Sequence, residues 1–261
     1  MSLATSNKGA AIASAIRSAG ASGSPALIAY LTAGYPSRAS FRDHVRALVH
    51  SAQVVEIGVP FSDPMADGVT IQRSSQAALA QGVTLRWILS ELEAMAPLRA
   101  PVLLMSYLNP LLAFGLEQLP RALTQEGVAG LIVPDLPLDE SAPLRALLSQ
   151  ESLSLVQMVT PVTQPRRLEE LCRASEGFVY AVTMTGTTGQ SAAMPAEALR
   201  YLDRVRALAT APVCAGFGIR SKEQVMLLKG HVDGVIVGSA LVEVLESGAD
   251  PAAWLQSLRA P

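Results

Sequence analysis

The chain is poor in the groups that most often carry out chemistry. Its 261 residues include two cysteines, three histidines and two tryptophans. Cys172 and Cys214 stand far apart at no metal-ligand spacing. So few thiols give no disulfide framework and suit a reducing compartment. His44, His50 and His231 lack partners at zinc-site spacing and fall in helices or at helix ends, where they read as surface or packing residues. The lysines are Lys8, Lys222 and Lys229, and none ends an apolar strand. A zinc site, a Schiff-base lysine and a Ser-His-Asp triad are therefore disfavoured, which leaves carboxylates and backbone dipoles. Charge of one sign is also lacking. The 20 Lys and Arg against 22 Asp and Glu give a net charge of -2, so there is no electrostatic footprint for nucleic acid. No apolar run reaches the roughly 18 residues a membrane span needs. The first residues show no secretory pattern, so the expected location is cytoplasmic.

What is present is a large capacity to bury surface: half the residues are hydrophobic and 16% are charged. The apolar letters come in short bursts rich in Val, Ile, Leu and Met, as in parallel strands buried on both faces. Strands are expected at Leu27–Thr32, Val54–Val59, Val102–Tyr107, Gly130–Asp135, Leu155–Thr160, Phe178–Thr183, Val213–Gly218 and Gly234–Gly238. Amphipathic stretches separate them, at Phe41–Ser51, Thr70–Gln81, Leu116–Glu126, Ala142–Gln150, Pro165–Ser175, Pro195–Ala209, Lys222–Lys229 and Pro251–Arg259, with a further helix at Leu85–Ala96. Ser40, Ser221 and Asp250 stand at helix starts as capping residues. Units of about 33 residues repeated over this length match a single (β/α)8 TIM barrel of roughly 250 residues. An extra N-terminal helix, Lys8–Ser18, would cover its bottom. One domain spanning 1–261 is expected.

In such a barrel the site lies at the C-terminal ends of the strands. The long loops there are Pro60–Gly68, Asn109–Gly115 and Met184–Met194. Glu56 interrupts the second apolar burst and shares a face with Val54 and Gly58. An unpaired buried carboxylate costs several kcal/mol, so it needs a partner or a purpose. Desolvation raises its pKa toward the range of an acid-base catalyst; an arginine or backbone donors holding it is the alternative. Asp67 follows in a loop shared with Asp63, whose place before Pro64 marks a turn residue. Glu56 and Asp67 form a pair with one deep and one shallow member, unless Asp67 too is a turn residue. Gly216 and Gly218 end the seventh strand, and Gly238 and Ser239 end the eighth, where barrels commonly hold phosphate on backbone N–H groups. Tight strand-to-helix packing is the other use for such glycines. Tyr30, Tyr107, Tyr180 and Phe217 fall at or near strand ends, suiting a planar apolar ligand or an ordinary core.

The run Val55-Glu56-Ile57-Gly58-Val59-Pro60-Phe61-Ser62-Asp63-Pro64-Met65-Ala66-Asp67-Gly68 closely resembles the signature of the tryptophan synthase α subunit family. The resemblance continues at 30–36, 105–110, 133–137, 186–189, 216–219 and 237–240, and so covers nearly the whole chain. It implies cleavage of indole-3-glycerol phosphate to indole and glyceraldehyde 3-phosphate. Glu56 then matches the general acid/base, and Asp67 the acid that binds the indole N–H. Gly189, Gly218, Gly238 and Ser239 match the phosphate pocket. Thr188 matches the residue that closes over Asp67, and Tyr30, Tyr107, Tyr180 and Phe217 would line the indole slot. The chain departs from the family at Met184 and Thr187, both in the closing loop. The resemblance also implies a tryptophan synthase β subunit as partner in an α2β2 complex, docked through Asn109-Pro110 and the loop after strand two. Pyridoxal phosphate would belong to that β subunit, with no cofactor in this chain. A stand-alone lyase, a non-catalytic activator of β and another phosphate-binding barrel enzyme are the competing readings.

Overall fold

A computed structural model of the chain describes residues 8–20, 23–183, 195–216 and 218–259. Eight parallel strands close on themselves in chain order: β1 (Ala26–Thr32), β2 (Val54–Gly58), β3 (Val102–Met105), β4 (Val128–Ile132), β5 (Ser154–Val159), β6 (Val179–Val182), β7 (Val213–Gly216) and β8 (Gly234–Val237). The barrel shuts where β1 pairs with β8. Each expected strand is there. Most end one or two residues short of the expected limit, because the last apolar letters have already turned into the mouth loops.

Alternate residues of a strand face opposite sides, and the packing sorts them accordingly. Val55 and Ile57 join the layer between sheet and helices. Val54 faces the lumen with Ile28, Leu103, Val156, Phe178, Cys214 and Ile236. Helix α1 (Lys8–Gly20) inserts Ile12 and Ile16 into the same cluster, so the expected N-terminal helix does plug the bottom. Lys8 Nζ fixes its start by donating to the Val128 carbonyl at 2.8 Å.

Helices α2 (Phe41–Ser51), α3 (Val69–Ala80), α4 (Leu85–Glu93), α6 (Leu119–Gln125), α7 (Ala142–Gln150), α8 (Pro165–Ala174), α9 (Ala196–Leu208), α10 (Lys222–Leu228) and α12 (Pro251–Ser257) fall where the amphipathic stretches place them. Capping holds at two of three expected positions. Ser221 accepts from the Gln224 N–H, and Asp250 Oδ1 accepts from the Ala252 N–H at 2.9 Å. Ser40 does not cap: its hydroxyl donates to the Ser37 carbonyl at 3.0 Å and is turned away from the helix.

One element departs from expectation. The loop expected at Asn109–Gly115 is largely helix, α5 (Leu108–Phe114). Pro110 is tolerated there because N–H groups of a first turn have no intrahelical partner. The Asp135 carboxylate, from the loop after β4, accepts from the Leu108 N–H at 2.9 Å and starts the helix. At the far end, α11 (Ser239–Glu246) begins directly after β8, with Gly238 as its N-cap. No helix among the described residues is long and apolar enough to cross a membrane.

Candidate active site

Glu56 sits at the middle of β2, paired in register with Tyr30 of β1 and Leu103 of β3. It shares the parity of Val54, so its side chain points into the lumen. It is fully buried, and neither carboxyl oxygen has a hydrogen-bond partner among the described residues. No arginine among the described residues clamps it. Burial alone therefore acts on the carboxyl and pushes its pKa up to about 8. At neutral pH the group holds a proton that it can give away.

Two tyrosines surround this acid. Tyr30 and Tyr180 are nearly buried, and both feel the charges of Glu56 and Asp67, so they lie within electrostatic reach of both acids. Their rings need space that the strands supply as missing side chains. A Cβ on Gly58 would collide with the Tyr30 ring, and one on Gly216 would lie 2.6 Å from the Tyr180 hydroxyl. Gly216 therefore makes room for the Tyr180 ring. The Tyr30 hydroxyl lies 3.4 Å from Thr32 Oγ1, which lies 2.6 Å from Ser74 Oγ on α3.

Asp67 is half-buried at the rim. Burial raises its pKa, and a hydrogen bond from Tyr107 opposes that rise by favouring the carboxylate. The Tyr107 hydroxyl donates to Asp67 Oδ2 at 3.1 Å and accepts from the Ala66 N–H at 2.9 Å. Its ring stacks on Phe61, with centroids 5.0 Å apart. Tyr107 thus stands beside Asp67 as a clasp on the β2 loop rather than only as a wall of a slot. Gln72 Nε2 donates to the Asp67 carbonyl at 2.9 Å, and Ser75 Oγ accepts from the Phe61 N–H at 3.1 Å, so α3 braces the loop from below. Neither brace carries a recognisable sequence signal. Asp63 is exposed and takes a short hydrogen bond from Ser62 at 2.5 Å, as a turn residue would.

At the ends of β7 and β8 backbone groups could meet an anion. Gly218 adopts a left-handed conformation, with φ at 71°, that other residues avoid. Gly238 opens α11, whose unsatisfied N–H groups and dipole favour negative charge. A Cβ on Gly238 would lie 3.7 Å from the Tyr30 ring, so the anion end and the aromatic end adjoin. Glu56, Asp67, Tyr30, Tyr107, Tyr180, Gly218, Gly238 and Ser239 gather at the lumen and its mouth. Thr188, Gly189 and Phe217 lie outside the described residues, as does the loop 184–194. The arrangement offers a buried carboxyl that burial keeps protonated, a second carboxyl at the rim, tyrosines close to both and a helix start whose N–H groups favour an anion.

Comparison with known proteins gives one family. The family model described as "Tryptophan synthase alpha chain" matches residues 16–259. The tryptophan synthase alpha chain of Nitratidesulfovibrio vulgaris strain DP4 is 46% identical over 244 residues, covering 93% of this chain and 95% of its own length. That of Carboxydothermus hydrogenoformans is 42% identical, over 86% of this chain and 85% of its own. Among solved structures, tryptophan synthase from Mycobacterium tuberculosis superposes with a TM-score of 0.86 at 38% identity, covering 95% of this chain and 96% of that one. A tryptophan synthase α2β2 complex from Pyrococcus furiosus gives 0.83 at 34% identity, covering 89% and 97%.

Proposed function

The chain belongs to the tryptophan synthase alpha chain family, and on that premise we propose which of its residues carry the cleavage of indole-3-glycerol phosphate. Glu56 is the general acid and base. Its protonated carboxyl gives a proton to C3 of the indole ring. The carboxylate left behind takes the proton of the side-chain hydroxyl. As that oxygen becomes the aldehyde, the bond from C3 to the side chain breaks and its electrons return to the ring. Indole and glyceraldehyde 3-phosphate leave, and Glu56 ends as it began. Asp67 accepts the indole N–H and offsets the positive charge that C3 protonation places on the ring. Protonated indole is thus the electron sink, which removes the need for a Schiff-base lysine.

Tyr30, Tyr107 and Tyr180 wall the indole, together with Phe217. Gly218, Gly238 and Ser239 hold the phosphate, together with Gly189, and Thr188 closes over Asp67. The observation that carries this reading is the inward, buried, unpartnered carboxyl of Glu56. A stabilising role does not explain it, because an unpaired buried acid costs stability.

The partner is a β subunit, as in the α2β2 complex of the Pyrococcus relative, and pyridoxal phosphate belongs to that subunit. The mouth face suits such a partner. Met65 and Val69 flank Asp67 and are 88% and 79% exposed, and Leu112 is 50% exposed on the helix that carries Asn109 and Pro110. Apolar side chains grouped on one face mark an association surface. Indole release from indole-3-glycerol phosphate, measured on the purified chain and titrated with β subunit, tests the whole reading. Slow release that rises as β saturates is expected. Absence of indole at every β concentration would overturn it.

A further inference from the structure

The phosphate end is shared between loops that come from distant parts of the chain, and one side chain joins them. Glu243 lies on α11 one turn after Ser239, on the same face as the helix start. Arg220, two residues beyond Gly218, grips it with both prongs: Nη1 donates to Oε2 at 2.6 Å and Nη2 to Oε1 at 2.9 Å. Thr70, three residues after Asp67 in the first turn of α3, donates its hydroxyl to Oε1 at 3.2 Å. The backbone of Arg220 is itself held, because its N–H donates to Gln224 Oε1 on α10 at 2.7 Å. One turn further on, Arg73 of α3 donates to Glu246 of α11 at 2.5 Å, and the Tyr35 side chain from the β1 loop lies within electrostatic reach of both.

We propose that Glu243 is a positioning residue for substrate phosphate, through which Arg220 and Thr70 set the spacing between the Gly218 loop, the start of α11 and the Asp67 loop. The proposal rests on the assignment of phosphate to Gly218, Gly238 and Ser239. Its logic is geometric. An anion held by backbone N–H groups on two separate elements binds only while those elements keep their distance. Among the described residues no backbone hydrogen bond joins the β7 loop to α11, so a side chain must supply that constraint. A carboxylate on α11 that accepts a two-pronged guanidinium from the loop does so, because the planar fork fixes orientation as well as separation. Arg220 and Glu243 are partly exposed, so the pair contributes little to global stability. Its effect should appear in binding.

The test compares the full chain, with β subunit at saturation, in Glu243→Ala, Arg220→Ala and Thr70→Val. Steady-state cleavage is followed, with inorganic phosphate as a competing anion. Loss of the Arg220 link is expected to raise KM about tenfold and to weaken phosphate inhibition equally, with kcat within about twofold, the pattern of lost uniform binding. Thr70→Val should raise KM about threefold, and Arg220→Lys, which keeps one prong, should fall between Arg220→Ala and the native chain. In the double variant Arg220→Ala/Glu243→Ala the two effects should not add. Unchanged KM and phosphate inhibition in Arg220→Ala with a native melting temperature would overturn the proposal, even if Glu243→Ala failed to fold. So would a fall of kcat and melting temperature together with no selective change in KM. Failure of inorganic phosphate to compete in the native chain would instead sink the parent assignment of the anion pocket, and the inference with it.

Discussion

The two ends of the barrel lumen are lined by the same strands at the same parity, yet they are built for opposite purposes. At the lower end Ile12 and Ile16 of α1 meet Ala26, Ile28, Val54 and Phe178, all without exposed surface and all apolar. One strand position above Val54 on the same face comes Glu56, just as buried and without a partner. The lower end gains stability from every atom it hides, at about 25 cal/mol per Å². The upper end gives stability up by hiding an acid. The change falls within a single strand, so the fold provides the cavity and one residue converts its wall into a reagent.

Substitution at each end should separate these purposes. Glu56→Gln keeps the shape and removes the proton donor. Cleavage should fall by about three orders of magnitude or more, since general acid-base catalysis typically contributes 10²–10⁴-fold. Stability should not fall with it, because a neutral amide replaces a carboxyl whose charge must be given up on folding at neutral pH. Indole release and thermal melting on one sample read both, and near-native cleavage would reject Glu56 as the acid. Ile16→Ala is the converse. Deleting a buried aliphatic side chain should cost about 2–5 kcal/mol and leave kcat of the folded protein unchanged. Denaturant titration beside activity at low denaturant checks it. A large loss of kcat with little loss of stability would show that the two ends are coupled.

The same contrast has a pH signature. Burial raises Glu56 to about 8 in the folded chain, whereas the unfolded chain holds it near the ordinary value of 4.5. The folded state therefore binds this proton more tightly. The resulting stability is full below about pH 4.5, is lost as pH rises toward 8 and is gone beyond it. Glu56→Gln has no such term. The stability difference between variant and native chain, measured from pH 5 to pH 9, should widen in favour of the variant and then level off. A difference flat across that range would mean that Glu56 is not held neutral.

Much of this was legible in the sequence. Seven of the eight strands show as apolar bursts, the first being more polar, because a strand buried on both faces leaves few polar letters, and a lone Glu in such a burst is conspicuous. The sequence put Glu56 on the face of Val54 but left open whether that face is the lumen; the packing of α1 against Val54 decides it. What escaped were features made across the chain. Helix α5 was hidden because Asn109-Pro110 reads as a loop, and the group that starts it, Asp135, lies 27 residues away. The steric need for glycine at 216 escaped because only the folded structure shows the Tyr180 ring packed against it. The expected cap at Ser40 failed to a closer competitor, the Ser37 carbonyl. Thr70, Arg220 and Glu243 belong to three separate segments, and no local pattern joins them.

The smallest expected effect concerns the rim, where the shallow acid differs from the deep one by having a partner. Tyr107 donates to Asp67 Oδ2 and receives the Ala66 N–H, so one hydroxyl holds both the carboxylate and the backbone beside it. Tyr107→Phe removes that oxygen and keeps the ring stacked on Phe61. Asp67 then loses the bond that favoured its ionised form, while the burial that raises its pKa remains. Its pKa moves upward. Since Asp67 acts as a carboxylate toward the indole N–H, the acidic limb of the kcat/KM profile should shift to higher pH. Cleavage at the plateau should drop by about tenfold, in line with one lost charge-assisted hydrogen bond. Glu56 is untouched, so the alkaline limb near pH 8 should stay where it is. Movement of both limbs would show that the two acids titrate as a coupled pair. Movement of neither would place Tyr107 in the wall of the slot with no hold on Asp67.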